Sequence, residues 1–97
     1  MLKTNKFDKN DIISIKLLAG EEVIAKFISD EEDVLVVEKV TTMAANPNGG
    51  LALVPWMMSA LPERVELNKA TIITSSLTAK EIADKFIEAT TSIQLAK

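Results

Sequence analysis

Between Ile12 and Phe27 the chain twice alternates apolar with polar residues, and this period of two limits its folding more than any other feature. Ile13, Ile15 and Leu17 alternate with Ser14 and Lys16, so an extended backbone would put three apolar side chains on one face. Ala19-Gly20-Glu21 supplies a turn, and Val23, Ala25 and Phe27 then alternate with Glu22, Ile24 and Lys26. After the acidic loop at 29–33, Val34 to Thr42 is β-branched and apolar and reads as a third strand. Asn46-Pro47-Asn48-Gly49-Gly50 interrupts regular pairing. Leu51 to Met57 reads as a fourth strand, with Pro55 at an edge or bulge because it lacks an amide donor. Val65 to Ser75 gives a fifth, bent near Asn68-Lys69.

The period then changes. Thr78-Ala79-Lys80-Glu81 fits a capping box, and Ile82, Phe86, Ala89 and Ile93 follow at helical spacing. One domain over 1–97 is expected: a polar lead-in over 1–10, five strands within 12–75, and a helix over 78–95. With 97 residues there is no room for a second core.

Composition narrows the function classes. Apolar residues make up 47% of the chain, which is high where a domain this small buries only roughly 60–65% of its unfolded surface. The longest apolar stretch, Leu51 to Met58, is far short of the about 20 residues of a spanning helix. No membrane partner is expected, and the first ten residues carry lysines without the apolar run of a signal peptide. Burial between copies of the chain is the better account of the excess apolar surface. A chain without cysteine has neither disulfides nor thiolate metal sites, which fits a cytoplasmic location. The absence of histidine removes the commonest general base and metal ligand. A net charge of −3 argues against a broad nucleic-acid-binding surface and leaves room for a local basic patch.

Five short sequential antiparallel strands suggest a small, strongly bent sheet or barrel. The segment Ile13 to Thr42 resembles the first motif of Sm and Sm-like proteins. Its parts are the alternating strand Ile13-Ser14-Ile15-Lys16-Leu17, the turn and strand Gly20-Glu21-Glu22-Val23-Ile24, Ala25 with Phe27, an acidic position at Asp30 or Glu31, and Val34 to Val40. Val65 to Ser75 would be the second motif. Ala25 stands where the family has its second glycine, and the helix follows the strands where the family's precedes them. Gly-Glu-Glu-Val-Ile-Ala together with Leu-Val-Pro-Trp-Met is more similar to divergent Sm-like proteins of marine phages, which implies the host cytoplasm.

The resemblance implies a five-stranded, strongly bent antiparallel Sm-like barrel with a C-terminal helix. It also implies a homo-oligomeric ring of roughly five to seven subunits, closed by pairing the fourth strand of one copy with the fifth of the next. Leu53, Val54, Trp56, Met57, Ile72 and Ile73 are then the expected subunit interface. Single-stranded RNA is the expected ligand, bound at pore-side loops. The family's acidic loop position falls on Glu31 and its base-contacting asparagine on Leu35, while its arginine-glycine falls on Asn68-Lys69. Glu31, Asn68 and Lys69 are thus the RNA-site candidates, with Lys69 suited to a phosphate and Asn68 to a base. The competing reading is an interaction module that docks a protein through the ring or the helix face.

Neither catalysis, a metal nor a cofactor is expected. Asp30-Glu31-Glu32-Asp33 does not match an EF-hand, and adjacent acids in a hairpin loop are ordinarily solvated. The remaining acids fall mostly in turns and on the helix's polar face, and a serine or threonine nucleophile would lack a histidine.

Overall fold

The computed structural model describes residues 6–57 and 64–95, with side chains as far as Thr91. The described residues form six antiparallel strands and one C-terminal helix: β1 (Ile12–Leu17), β2 (Glu22–Asp30), β3 (Val34–Ala45), β4 (Leu51–Pro55), β5 (Arg64–Asn68), β6 (Ile72–Leu77) and α1 (Lys80–Leu95). The strands run β4-β3-β2-β1-β6 across the sheet, and β5 pairs with the first part of β3. Where one bent fifth strand is expected, a 3-10 turn at Lys69–Thr71 divides the segment into β5 and β6. Asn68 causes the break locally: its Oδ1 accepts from the Ala70 amide at 2.9 Å, competing with ladder pairing.

The alternation works as read. Ile13, Ile15 and Leu17 of β1, with Val23, Ala25 and Phe27 of β2, enter one buried cluster with Leu35, Val37, Val40 and Leu67. Gly20 turns the β1–β2 hairpin at φ +106°, a conformation that favours glycine. Two irregularities bend the long β2–β3 ladder. Ile24 pairs with Thr41 and Lys26 with Glu38, so Ala25 faces two residues of β3, Lys39 and Val40. Lys39 absorbs this bulge at φ +58°. A second shift leaves Ile28 unpaired between Phe27 and Ser29.

The bending does not close the described sheet on itself. β4 and β5 pair only with β3 and β6 only with β1, so each of the three has a free edge among the described residues. The N-terminal segment stands in the gap. Asn10 donates to the Phe27 carbonyl and Phe27 to the Asp11 carbonyl, extending the β1–β2 ladder by one turn. A local turn (Asp11 amide to Asp8 carbonyl, Asp8 amide to Asp11 Oδ2) then sends the chain back inward. Phe7 arrives in the core, 6% exposed, with its ring 5.6 Å from that of Phe27. Lys6 lies over the Phe7 ring and donates to the Ser75 carbonyl on β6. The described part of the expected polar lead-in is thus a plug; residues 1–5 of it lie outside the described residues.

The helix covers the opposite face of the sheet. Ile24 and Phe86 are each 1% exposed, yet neither belongs to the cluster between the strands. Thr90 shares a cleft with Thr41 and Pro55, and α1 touches β4. Ile24 lies opposite Thr41 in the ladder and is buried on that side, which is why β2 breaks its alternation with an apolar residue there. The helix begins at Lys80, two residues after the expected start, and the Thr78 hydroxyl meets Ser14 Oγ at 2.8 Å. Ile82, Phe86 and Ala89 form its covered side, whereas the Ile93 side chain lies outside the described residues. Among the described residues no helix is long and apolar enough to cross a membrane.

Candidate functional site

One end of the sheet gathers the residues expected from the sequence to meet RNA. Pairing of β5 with β3 sets Asn68 opposite Val34 and Leu67 opposite Leu35. This register carries the turn after β5 to the hairpin turn between β2 and β3, and the Lys69 amide donates to the Asp33 carbonyl at 2.9 Å. Glu31, Asn68 and Lys69 therefore occupy two adjoining turns. Sequence separation of nearly forty residues is bridged by the β3–β5 ladder alone.

Each candidate already has a local task. Glu31 accepts from the Ser29 hydroxyl at 2.9 Å, and its amide donates to the Val34 carbonyl, closing the acidic turn. Asn68 caps the 3-10 turn with its side-chain oxygen, while its carbonyl accepts from the Thr71 hydroxyl at 2.7 Å. Lys69 pairs with the Asp30 carboxylate, the last residue of β2. A phosphate reaching Lys69 would therefore compete with an internal carboxylate, although an ammonium retains further N–H directions. Leu35, at the position of the family's base-contacting asparagine, is buried in the core and offers no polar group.

Beside this turn lies a cavity of about 360 Å³ between the N-terminal plug, the end of β2 and β6. Phe7, Phe27 and Ile73 contribute apolar wall, and Lys6, Lys69 and Asp30 line it with charge. Lys6 and Phe7 were not among the sequence-derived candidates, and Asp30 entered only as the alternative to Glu31 at the acidic position and in the acidic cluster. The available signal was Phe7 itself, the single apolar residue between Lys3 and Asn10.

The expected interface residues divide between core and surface. Ile73 and Met57 are exposed, Ile73 beside the free edge of β6 and Met57 just beyond β4. Leu53 and Val54 are half-buried on β4. Trp56 and Ile72 pack against the internal cluster. Trp56 also donates from its ring nitrogen to Glu21 at 3.2 Å and from its amide to the Val40 carbonyl, so its own chain occupies much of it. Met58, part of the same apolar run, lies outside the described residues.

Electrostatics elsewhere are structural. Arg64 Nε and Nη2 donate to Glu38 Oε2 at 3.0 and 2.6 Å, with Lys26 3.8 Å from the other oxygen. The Arg64 hydrogen bonds hold the Glu38 carboxyl below its ordinary value, burial opposes this, and the nearby positive charges assist. Among the described residues no three acidic side chains converge where a metal ion could be held. Compared with known protein families the chain matches no family model, and a comparison with curated proteins finds no significant relative.

Proposed function

We propose that this chain is the subunit of an Sm-like homo-oligomeric ring that acts as a scaffold and takes single-stranded RNA at its pore-side turns. The observation that carries the reading is that β4 and β6 each have an unpaired edge among the described residues. β4 and β6 end the sheet on opposite sides, and each can accept one more antiparallel strand. Exposed Leu51 and Met57 lie at or just beyond β4, and Ile73 and Leu77 lie on β6. An edge with unpaired backbone groups and apolar neighbours invites a partner. Pairing β4 of one copy with β6 of the next is heterologous, so repetition around an axis yields a ring. Strong bending at the Lys39 bulge and the strand order support the Sm-like barrel as the architecture of each subunit.

The RNA part rests on the adjoining turns of Glu31 and of Asn68 with Lys69. Filter retention of poly-U and poly-A at low and moderate salt tests it, with wild type and Lys69→Glu compared. Retention at low salt is expected, and Lys69→Glu should weaken it and reduce the logarithmic salt slope by about 1. An unchanged slope would reject Lys69 as a contact.

The second reading is a protein-docking module without nucleic acid. It draws on the net charge of −3 and on the Asp30 carboxylate that already engages Lys69. Absence of retention of either polymer at low salt would favour it.

A further inference from the structure

The cavity beside Lys69 is lined also by Lys6, Phe7 and Phe27, to which neither ring assembly nor RNA gives a task. Its volume, about 360 Å³, lies within the roughly 300–1,000 Å³ of small-molecule sites. The walls are of two kinds. Phe7 and Phe27 form an aromatic floor with their rings tilted 59° to each other, and Ile73 stands, 57% exposed, on the β6 side. The charged groups are Lys6 from the plug, Lys69 from the 3-10 turn and Asp30 from the end of β2. Two ammoniums against one carboxylate leave one net positive charge. Lys6 uses one donor on the Ser75 carbonyl and Lys69 one on Asp30, so each keeps N–H groups for a further acceptor.

We propose that this cavity binds a small amphipathic monoanion, a flat or short apolar body carrying one carboxylate. The body lies against Phe7, Phe27 and Ile73, and the carboxylate bridges the Lys6 and Lys69 ammoniums. A neutral analogue forfeits the charge-assisted hydrogen bonds and leaves the net positive charge uncompensated. A dianion would meet the Asp30 carboxylate as a like charge and gains less from its second charge. The plug is then more than a stopper: Phe7 is floor and Lys6 is rim of the same site. The inference does not require that RNA binds, though both ligands would meet at Lys69.

Calorimetric titration of the full chain with 2-naphthoate, and separately with its neutral twin 2-naphthamide, tests this. We expect saturable one-to-one binding of 2-naphthoate with a Kd below about 1 mM, and binding of 2-naphthamide weaker by about fivefold or more. Lys69→Gln, at an exposed turn, should lower 2-naphthoate affinity by a similar factor and leave 2-naphthamide unchanged. Ile73→Asp, on the exposed wall, should weaken both compounds and so fixes the location without disturbing the buried core. Absence of saturable 2-naphthoate binding overturns the proposal. So does equal affinity for acid and amide, or a Lys69→Gln protein that binds the acid as wild type does.

Discussion

Replacing Phe7 by alanine should destabilise the protein by about 3 kcal/mol, although the residue sits in a stretch that composition marks as a polar lead-in. Phe7 is 6% exposed and packs on Phe27 within the main buried cluster. A phenylalanine that buries about 150–250 Å² contributes, at about 25 cal/mol/Å², an upper bound of roughly 4–6 kcal/mol. One feature pulls the cost toward the low end of the usual Phe→Ala range of about 3–5 kcal/mol, and a second adds back a smaller amount. The ring borders the 360 Å³ cavity, so its loss enlarges an existing space that water reaches and does not seal a new void. Alanine also removes the ring that lies 5.4 Å from the Lys6 ammonium, a contact of about 0.5–1 kcal/mol at an exposed site. Urea unfolding followed by circular dichroism, at fixed protein concentration, reads the difference. Leu18→Ala, at a position 64% exposed, is the control and should cost under about 0.5 kcal/mol. A Phe7→Ala cost below about 1 kcal/mol would refute the reasoning, because Phe7 would then not be core and residues 6–11 would be a loose tail.

Arg64→Gln should cost about 1 kcal/mol near neutral pH. Because Arg64 depresses the Glu38 carboxyl in the folded state, the stabilisation is present above the unfolded value and is lost as pH falls through the folded one. Paired melting curves should therefore converge below about pH 4, and a gap constant with pH would contradict this. Lys39→Gly should stabilise the fold by about 0.5–1 kcal/mol, since glycine adopts the +58° backbone angle of the bulge without strain, and thermal unfolding checks the sign. Ser75→Pro should leave the monomer fold intact by circular dichroism while abolishing assembly. Its carbonyl serves Lys6 on the free side of β6, so the proline removes a donor from that edge and not from the β1 ladder. Assembly unaffected by this change would move the interface elsewhere.

The strand pattern was legible where the alternation was strict. Ile13, Ile15, Leu17, Val23, Ala25 and Phe27 announce their burial through period alone, and the structure gathers them into one cluster. The single break in that pattern, Ile24, is buried outside that cluster, opposite Thr41, which shares a cleft with Thr90 of α1. What escaped the sequence was set by long-range pairing. Nothing local to Asn68 says that the β3–β5 register will carry it to the acidic turn, or that Lys69 will find Asp30. The division of the last strand was half visible as a bend at Asn68-Lys69, and the side-chain capping there turned the bend into a break. Phe7 was hidden by its company, since three lysines and other polar neighbours within the first ten residues outvote one ring.

Native mass spectrometry of the purified chain, without added ligand, tests the central claim most directly. The account predicts a single closed oligomer of roughly five to seven copies, in which the free edges of β4 and β6 satisfy each other. A stable monomer at micromolar concentration would contradict it, since both edges would then be tolerated unpaired in water.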